Sequence, residues 1–233
     1  MLFEPPVFFM YHSLTASGDR HPATSFHRNK YTISREVFAR HVDIASGKNV
    51  VLTFDDGHRS IYEIALPLIQ DRVPSIAFVS TGLLGDDDWI GEAEVRGLAK
   101  AGVTIAAHSV HHPNLAGLEP ATLERELVDS RRRLQDITGT PIKEMSLPGG
   151  HFNAGVMRAV RDAGYERVYC SEPGRGTTRW GGIRRQWILN NQTDAEFEKM
   201  CGGWVPPALR LRYALGKPVK RVRAAAQRLR QPS

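Results

Sequence analysis

The sequence Val50-Val51-Leu52-Thr53-Phe54-Asp55-Asp56-Gly57 decides how the rest of this chain is interpreted. Its first five residues form an apolar run that is typical of a strand covered on both faces. Gly57 then permits a sharp turn, directly after two adjacent carboxylates. Such carboxylates repel each other unless a cation lies between them or one of them takes a proton. The stretch therefore predicts a buried strand that delivers acidic groups to a catalytic rim, with a metal site as the first possibility.

Two histidines further along the chain are the matching candidate ligands. His108 and His112 follow a second strand-like run, residues 103–107, and share a face if the chain makes about one turn. Pro113 disfavours helix at His112, which indicates a tight loop. One carboxylate oxygen and two imidazole nitrogens form a three-ligand divalent metal site with an open position for water, as in catalytic zinc centres. Water bound there has a pKa of roughly 7 and is a usable nucleophile.

Strand-like runs alternate with helical segments along the chain, which indicates parallel strands joined by helical crossovers. We predict strands at residues 7–12, 50–54, 75–79, 103–107, 143–147, 166–170 and 183–189. We predict helices at residues 35–44, 60–72, 91–100, 122–137 and 153–163 and a last one from residue 193, and a loop over one face at residues 13–34. The predicted helix ends are a capping box at Ser60-x-x-Glu63, a cap at Asn153, a cap at Thr193-x-x-Glu196 and a stop at Gly139. The candidate residues fall just past the C-terminal ends of strands, where parallel α/β folds place their active sites.

These motifs resemble those of the polysaccharide deacetylases, the NodB-like carbohydrate esterase family 4. Thr53 to Gly57 is similar to the first family motif, and His108-Ser109-x-x-His112-Pro113 is similar to the second. Ser146-Leu147-Pro148-Gly149-Gly150 stands where the family carries its third motif. The resemblance covers about residues 7–200. It implies a single α/β domain with an irregular (β/α) barrel of about seven parallel strands.

The resemblance also implies a role for each ligand and for the base. Asp56, His108 and His112 are expected to hold one divalent metal. Zinc is the first expectation, and cobalt, nickel and manganese are alternatives because the affinity order does not set occupancy in cells. Asp55 is expected to act as the base that takes a proton from the attacking water.

The third motif is expected to form the oxyanion site. In the family, the backbone N–H after the proline helps to hold the oxyanion, so Gly149 inherits this role in the Pro148–Gly150 turn. The family usually pairs the base with an arginine at the first position of this motif, where this chain has Ser146. Arg184 or Arg185, near the last predicted strand, is the candidate replacement.

Cleavage of an amide also requires an acid for the leaving nitrogen. Many members of the family use a histidine near the C-terminus, but this chain has no histidine after His151. Some exopolysaccharide deacetylases are circularly permuted, with the final strand and its histidine moved to the start of the chain, and residues 7–12 resemble that strand. The resemblance therefore implies that His12 is the acid of a circularly permuted member. The alternatives are His151 as the acid, or a His12 that is only bonded to a loop.

The net charge of +6 is concentrated in one segment. We predict a catalytic barrel over residues 1–203, which is near neutral, and a basic surface tail over residues 204–233, so no nucleic-acid partner is expected. After Pro218 the tail is a candidate amphipathic helix for an anionic membrane, or alternatively a helix packed on the barrel. The tail has no acidic residue, and its basic residues are Arg210, Arg212, Lys217, Lys220, Arg221, Arg223, Arg228 and Arg230.

The expected location is cytoplasmic, peripheral to the inner face of the membrane if the tail binds it. No apolar run approaches the ~18 residues of a membrane span, and residues 1–6 lack the features of a secretory signal. Cys170 and Cys201 are expected to be reduced, buried thiols.

The first functional hypothesis is a hydrolase that removes N-acetyl groups from amino sugars of a poly- or oligosaccharide, free or lipid-linked. Water bound to the metal attacks the amide carbonyl, and Asp55 takes the proton. One alternative keeps the site but cleaves an O-acetyl ester or another amide. A second alternative is a glycan-binding protein with a decayed site, because the family arginine is missing at Ser146. The sequence does not specify the oligomeric state.

Overall fold

The structure is a computed structural model that describes residues 4–16, 29–150 and 152–215. Its strands are β1 (Val7–Tyr11), β2 (Ser13–Thr15), β3 (Thr32–Ser34), β4 (Val50–Phe54), β5 (Ser75–Val79), β6 (Thr104–Ala107), β7 (Glu144–Ser146), β8 (Arg167–Tyr169) and β9 (Gln186–Trp187). Its α-helices are α1 (Arg35–Ala45), α2 (Leu66–Ile69), α3 (Glu92–Lys100), α4 (Pro120–Thr138), α5 (Ala154–Asp162) and α6 (Asp194–Cys201), and residues 207–215 are also helical.

Seven of these strands form one parallel sheet in the order β8-β7-β6-β5-β4-β1-β9. The sheet is curled in a barrel-like way, with helices around it. Ile183, just before β9, forms a parallel bridge with Tyr169 at the end of β8, while β9 itself pairs with β1. The segment 183–187 therefore links β9, at one end of the strand order, to β8, at the other end. The predicted α/β class and the single barrel-like domain of about seven parallel strands are confirmed.

The inside of the barrel is filled by side chains. Alternate residues of a strand point to opposite faces, and five buried residues form a small core separate from the main one between the sheet and the helices: Phe8, Ile76, Phe78, Ala106 and Tyr169. The Tyr169 ring lies 5.1 Å from that of Phe8 and 4.9 Å from that of Phe78, measured between centroids. Chemistry in this fold is therefore confined to the rim.

The predicted helix boundaries are confirmed at three places. Gly139 ends α4 in the left-handed conformation, at a φ of 68°. The Asn153 side chain accepts a hydrogen bond from the N–H of Val156 and caps α5. Thr193 and Glu196 form the reciprocal capping box of α6.

The predicted capping box of Ser60 and Glu63 is wrong. Ser60 makes no side-chain cap, because its Oγ accepts the N–H of Leu14 at 2.8 Å and bonds the His58 Nδ1 at 2.8 Å. The chain instead enters a π-helical turn, Ile61–Ala65, before α2 begins. The Ser60 hydroxyl, which the local pattern assigned to a helix cap, therefore bonds Leu14 from a distant part of the chain instead.

The prediction of a loop over residues 13–34 is wrong at both ends. Strands β2 and β3 form a separate two-stranded parallel sheet there, and the Ser13 and Thr32 hydroxyls bond each other at 3.0 Å. Residues 17–28 lie outside the described part of the chain.

The start of the basic tail is only partly on the surface, whereas the prediction placed all of it there. Val205 and Leu209 are buried because they pack in the main core, whereas Leu211 and Leu215 are exposed. The candidate helix after Pro218 lies outside the described residues, and the division of the chain at residue 203 stays a prediction. None of the helices in the described ranges has both the length and the apolar character that a bilayer span requires.

The two cysteines are free and buried, as predicted. Burial raises the pKa of the Cys170 thiol and of the Cys201 thiol to about 11. Both therefore stay protonated and unreactive near neutral pH.

Candidate metal centre

The predicted metal ligands lie together at the C-terminal rim of the barrel. Asp56 follows β4, and His108 and His112 belong to the loop that follows β6. One possible ligand atom of each residue lies within 4.8 Å of those of the other two. Parallel strands that end at one edge bring these residues together although they are far apart in sequence.

The three side chains point at a common position. The Nε2 atoms of His108 and His112 lie 3.1 Å and 3.3 Å from Oδ1 of Asp56. On the other side of the His108 ring, Nδ1 lies 2.8 Å from the carbonyl oxygen of Ser146. A carbonyl only accepts, so Nδ1 carries a hydrogen, and Nε2 is the nitrogen that faces the centre and can bind a metal when it is unprotonated. Two imidazole nitrogens and one carboxylate oxygen fit a divalent metal such as zinc.

The backbone is strained where it aims these ligands. Asp56, Ser109 and His112 have φ values of 75°, 64° and 54°, in the left-handed region that side chains other than glycine rarely adopt. Within the described ranges the only other non-glycine residue of this kind is Asp71. Strained residues that cluster in this way are typical of a functional site held in shape by its surroundings.

The charges of the centre favour a cation. Burial alone raises the pKa of Asp56, but the neighbouring imidazole of His108 and the charge of His112 outweigh it and lower the pKa below the usual carboxyl value. Burial alone lowers the pKa of His108, but the charges of Asp55 and Asp56 outweigh it and raise that pKa. Burial lowers the pKa of His112. The centre therefore combines ionised carboxylates with imidazoles, which are metal ligands in their neutral form.

Asp55 lies beside the three ligands but is held by Arg185. The two guanidinium nitrogens of Arg185 donate to the two carboxylate oxygens, Nη1 to Oδ1 at 2.5 Å and Nη2 to Oδ2 at 2.8 Å. This bidentate geometry fixes the plane of the carboxylate. Arg185 is fully buried, and its remaining bonds include those to the hydroxyls of Ser146 at 2.7 Å and Thr53 at 3.1 Å.

Arg185 thus makes the contact that the family arginine at position 146 usually makes. Ser146 is small and buried, and its Oγ lies between the guanidinium and Oδ2 of Asp55, 3.4 Å from the latter. Arg184, the other candidate replacement, pairs with Glu172 instead. Burial alone raises the pKa of Asp55, but the charge of Arg185 outweighs it, so the pKa is lowered and the carboxylate is ionised.

The predicted oxyanion turn follows β7 at the same rim. Pro148–Gly150 forms a 3₁₀ turn in which Gly149 and Gly150 have φ values of 59° and 66°. A Cβ on Gly150 would lie 2.6 Å from both Cβ and Oγ of Ser171, so the turn requires glycine there. The oxyanion role of Gly149 stays a prediction, and His151 lies outside the described residues.

The structure places His12 at this rim, directly after β1. Its ring packs against Tyr31, with the two centroids 4.8 Å apart. Burial lowers the pKa of His12, and the charges of Asp56 and Asp55 oppose that shift. Its role as an acid stays a prediction, as does the circular permutation, although β1 does lie between β4 and the last strand, β9.

The sequence analysis missed one residue of the centre, Glu126 in α4. Its carboxylate binds the loop between the two histidine ligands, at the backbone of Val110 and at His111. A signal was present, because Glu126 interrupts the apolar stripe of α4 between Leu123 and Leu127 and is buried. An acidic residue on a core-facing stripe needs a partner, and that partner is the ligand loop.

Comparison with known proteins agrees with this geometry. A family model described as polysaccharide deacetylase matches residues 43–168, more than half of the chain. The putative polysaccharide deacetylase YxkH of Bacillus subtilis (strain 168) is 27% identical over 137 residues, which cover 58% of this chain and 49% of that protein. A chitooligosaccharide deacetylase of Bradyrhizobium sp. (strain ANU 289) is 27% identical over 142 residues, which cover 60% of this chain and 63% of that protein. The matches thus span less than two thirds of either relative.

Solved structures show the same fold. The Streptococcus pyogenes deacetylase PplD, solved in complex with acetate, superposes with a TM-score of 0.75 at 19% identity and covers 84% of this chain and 97% of its own. IcaB from Ammonifex degensii superposes with a TM-score of 0.62 at 17% identity and covers 86% of this chain and 97% of its own.

Proposed function

Because this chain belongs to the polysaccharide deacetylase family, we propose that it is a metal-dependent hydrolase that removes N-acetyl groups from amino sugars of a poly- or oligosaccharide. The observation that carries the proposal is the cluster of Asp56, His108 and His112 beside a carboxylate that is not a member of the cluster, Asp55. A ligand set with an adjacent, separately held base is what hydrolysis with an activated water requires.

The donor set supports a divalent metal, with zinc as the first candidate and cobalt, nickel and manganese as alternatives. Asp56, His108 and His112 would hold it through one carboxylate oxygen and two Nε2 atoms. When bound, such a metal polarises the acetyl carbonyl and lowers the pKa of water. The chain contributes the fixed tautomer of His108, which the Ser146 carbonyl sets.

Asp55 is the proposed base. Arg185 keeps its carboxylate ionised and in one orientation, with Oδ2 4.0 Å from Nε2 of His108. A proton released by the attacking water is therefore taken up next to the ligands and not by one of them. In the same proposal, the N–H of Gly149 binds the oxyanion, and Pro148 and Gly150 shape the turn that presents it.

The hypothesis of a glycan-binding protein with a decayed site loses its main support. It rested on the missing arginine at Ser146, and Arg185 holds Asp55 in that arginine's place. The remaining alternatives concern the bond that is cleaved. We expect acetate release from N-acetylated glucosamine oligosaccharides, with O-acetylated and lipid-linked glycans assayed beside them. Release from the esters alone would replace the amide assignment, and release from none would contradict the proposed activity.

His12 is the proposed acid for the leaving amine. His12→Ala is expected to bind metal normally and to lose most amide hydrolysis, because no other group in the proposal protonates the departing nitrogen. The same variant should still cleave an activated aryl acetate, whose leaving group needs little protonation, so this substrate is the internal control. His151→Ala is compared in parallel. Full amide hydrolysis by His12→Ala would rule the assignment out.

The tail is proposed to contact an anionic membrane surface, and with it the cytoplasmic location remains a prediction. Leu211 and Leu215 are exposed one turn apart on the last described helical segment, and six of the eight basic residues of the tail follow Leu215. Full-length protein should co-sediment with vesicles that contain anionic lipid, and a chain ending at Leu215 should not. This end point is chosen because Val205 and Leu209 belong to the core. Equal sedimentation of both chains would remove the proposal.

A further inference from the structure

We propose that Glu126 is a positioning residue that holds the loop of the two histidine ligands in its ligating shape. The inference rests on the proposed metal site and concerns how that site is maintained. The loop comprises residues 108–112, and Glu126 belongs to a different element, α4.

The carboxylate of Glu126 takes up the donors of one side of this loop. Its Oε2 accepts the N–H of Val110 at 2.8 Å and the N–H of His111 at 3.0 Å. Its Oε1 accepts a hydrogen bond from Nδ1 of His111 at 2.7 Å. Hydrogen bonds to an ionised acceptor are stronger than neutral ones. Three such bonds from one buried side chain make Glu126 a fixed anchor for the middle of the loop.

The opposite side of the loop is bound by the segment after β5. The Oγ of Ser80 donates to the carbonyl of His108 at 3.1 Å. The N–H groups of Thr81 and Gly82 donate to the carbonyls of Ser109 and Val110 at 3.1 Å and 2.9 Å. The loop is therefore held between two elements, with the carbonyls of residues 108–110 bound on one side and the N–H groups of Val110 and His111 on the other. Glu126 is the acceptor for these two N–H groups.

The shape of the loop requires this support. Ser109 and His112 both have positive φ values, and strained residues persist only where the surroundings determine them. If the N–H groups of Val110 and His111 lost their acceptor, two backbone donors would be left without a hydrogen bond, which is unfavourable. A change of the loop backbone that gave them a new acceptor would then lower the free energy. Such a change would move Nε2 of His112 away from Oδ1 of Asp56.

The position of Glu126 is not explained by helix stability. It lies between Leu123 and Leu127 on the buried face of α4, where an ionised carboxylate is unfavourable unless it is hydrogen-bonded. The hydroxyl of Ser130, one turn further along α4, donates a hydrogen bond to the backbone carbonyl of Glu126 and not to its carboxylate. The hydrogen bonds to the loop of residues 108–112 offset the free-energy cost of burying this carboxylate.

The test is the affinity of the metal-free protein for Zn²⁺, measured by calorimetric titration. Glu126→Ala should raise the dissociation constant by about 10- to 100-fold, the usual effect of removing a group that supports a ligand. Glu126→Gln keeps one acceptor oxygen and should give a smaller loss. Glu124→Ala, at an exposed position of the same helix, is the matched control and should bind like the wild type.

Thermal unfolding of the metal-free variants separates this role from a purely structural one. A folded Glu126→Ala with wild-type Zn²⁺ affinity would overturn the inference, even if its stability were reduced. If Glu126→Ala does not fold, Glu126→Asp decides, because its shorter side chain cannot reach all three donors, and wild-type affinity would again overturn the inference. A wild type that binds no Zn²⁺ would instead defeat the proposed metal centre and the inference with it.

Discussion

Asp55→Asn is expected to lower deacetylation by about 10²-fold or more, the usual scale for a lost general base, while the metal content stays near that of the wild type. The asparagine side chain has the same shape as aspartate but cannot accept the proton at its amide nitrogen. The metal should remain because the proposed ligand atoms belong to Asp56, His108 and His112, whereas the nearer oxygen of Asp55 lies 4.0 Å from Nε2 of His108.

Asp56→Asn is the matched comparison for this prediction. A three-ligand site has no spare ligand, so this variant should lose metal and activity together. Elemental analysis and acetate release are measured on the same preparations, and thermal unfolding monitors the folding of both. Equal metal loss in Asp55→Asn and Asp56→Asn would defeat the division of roles between the two aspartates.

Arg185→Met is expected to reduce the free energy of unfolding by about 3–5 kcal/mol, because it leaves the buried carboxylate of Asp55 without its counter-charge. Deacetylation should fall with it, since the base is no longer ionised and oriented by the guanidinium. Denaturant unfolding and acetate release measure the two effects. The matched control is Arg184→Met, whose partner Glu172 is partly exposed, and its cost should stay within about 1 kcal/mol.

A swap of the two positions separates positioning from packing. The double variant Ser146→Arg with Arg185→Ser returns the arginine to the usual family position and should regain part of the activity that Arg185→Met loses. If Arg185→Met had the stability and activity of the wild type, Arg185 would not be what holds the base.

The strand and helix pattern allowed most of the fold to be predicted from the sequence. Five-residue strands with four apolar residues, such as β4 and β5, and helices with clear end signals, such as Gly139, are defined by local residues. The three-residue strands β2 and β3 are too short for a visible period, and they depend on each other for pairing. The Ser60 cap failed for the same reason, because a contact with Leu14 decided it.

The site was predictable to the extent that its residues lie in compact motifs. Asp56 follows a recognisable strand, and His108 and His112 share one short loop. Arg185 lies 130 residues from Asp55 and outside residues 43–168, which the family model matches. The sequence alone therefore did not distinguish Arg185 from Arg184 as the partner of Asp55. Glu126 forms no motif with the loop it binds, and its role became visible only when α4 was packed against that loop.

The central claim, that a metal held by Asp56, His108 and His112 drives deacetylation, is tested most directly by one titration. Metal is removed with a chelator, and acetate release from N-acetylated glucosamine oligosaccharides is followed as zinc is added back. We predict that the chelated protein is inactive, that activity returns and levels off at about one equivalent of metal per chain, as expected of a single three-ligand site, and that Asp56→Ala does not recover. Full acetate release by the metal-free protein would contradict this account.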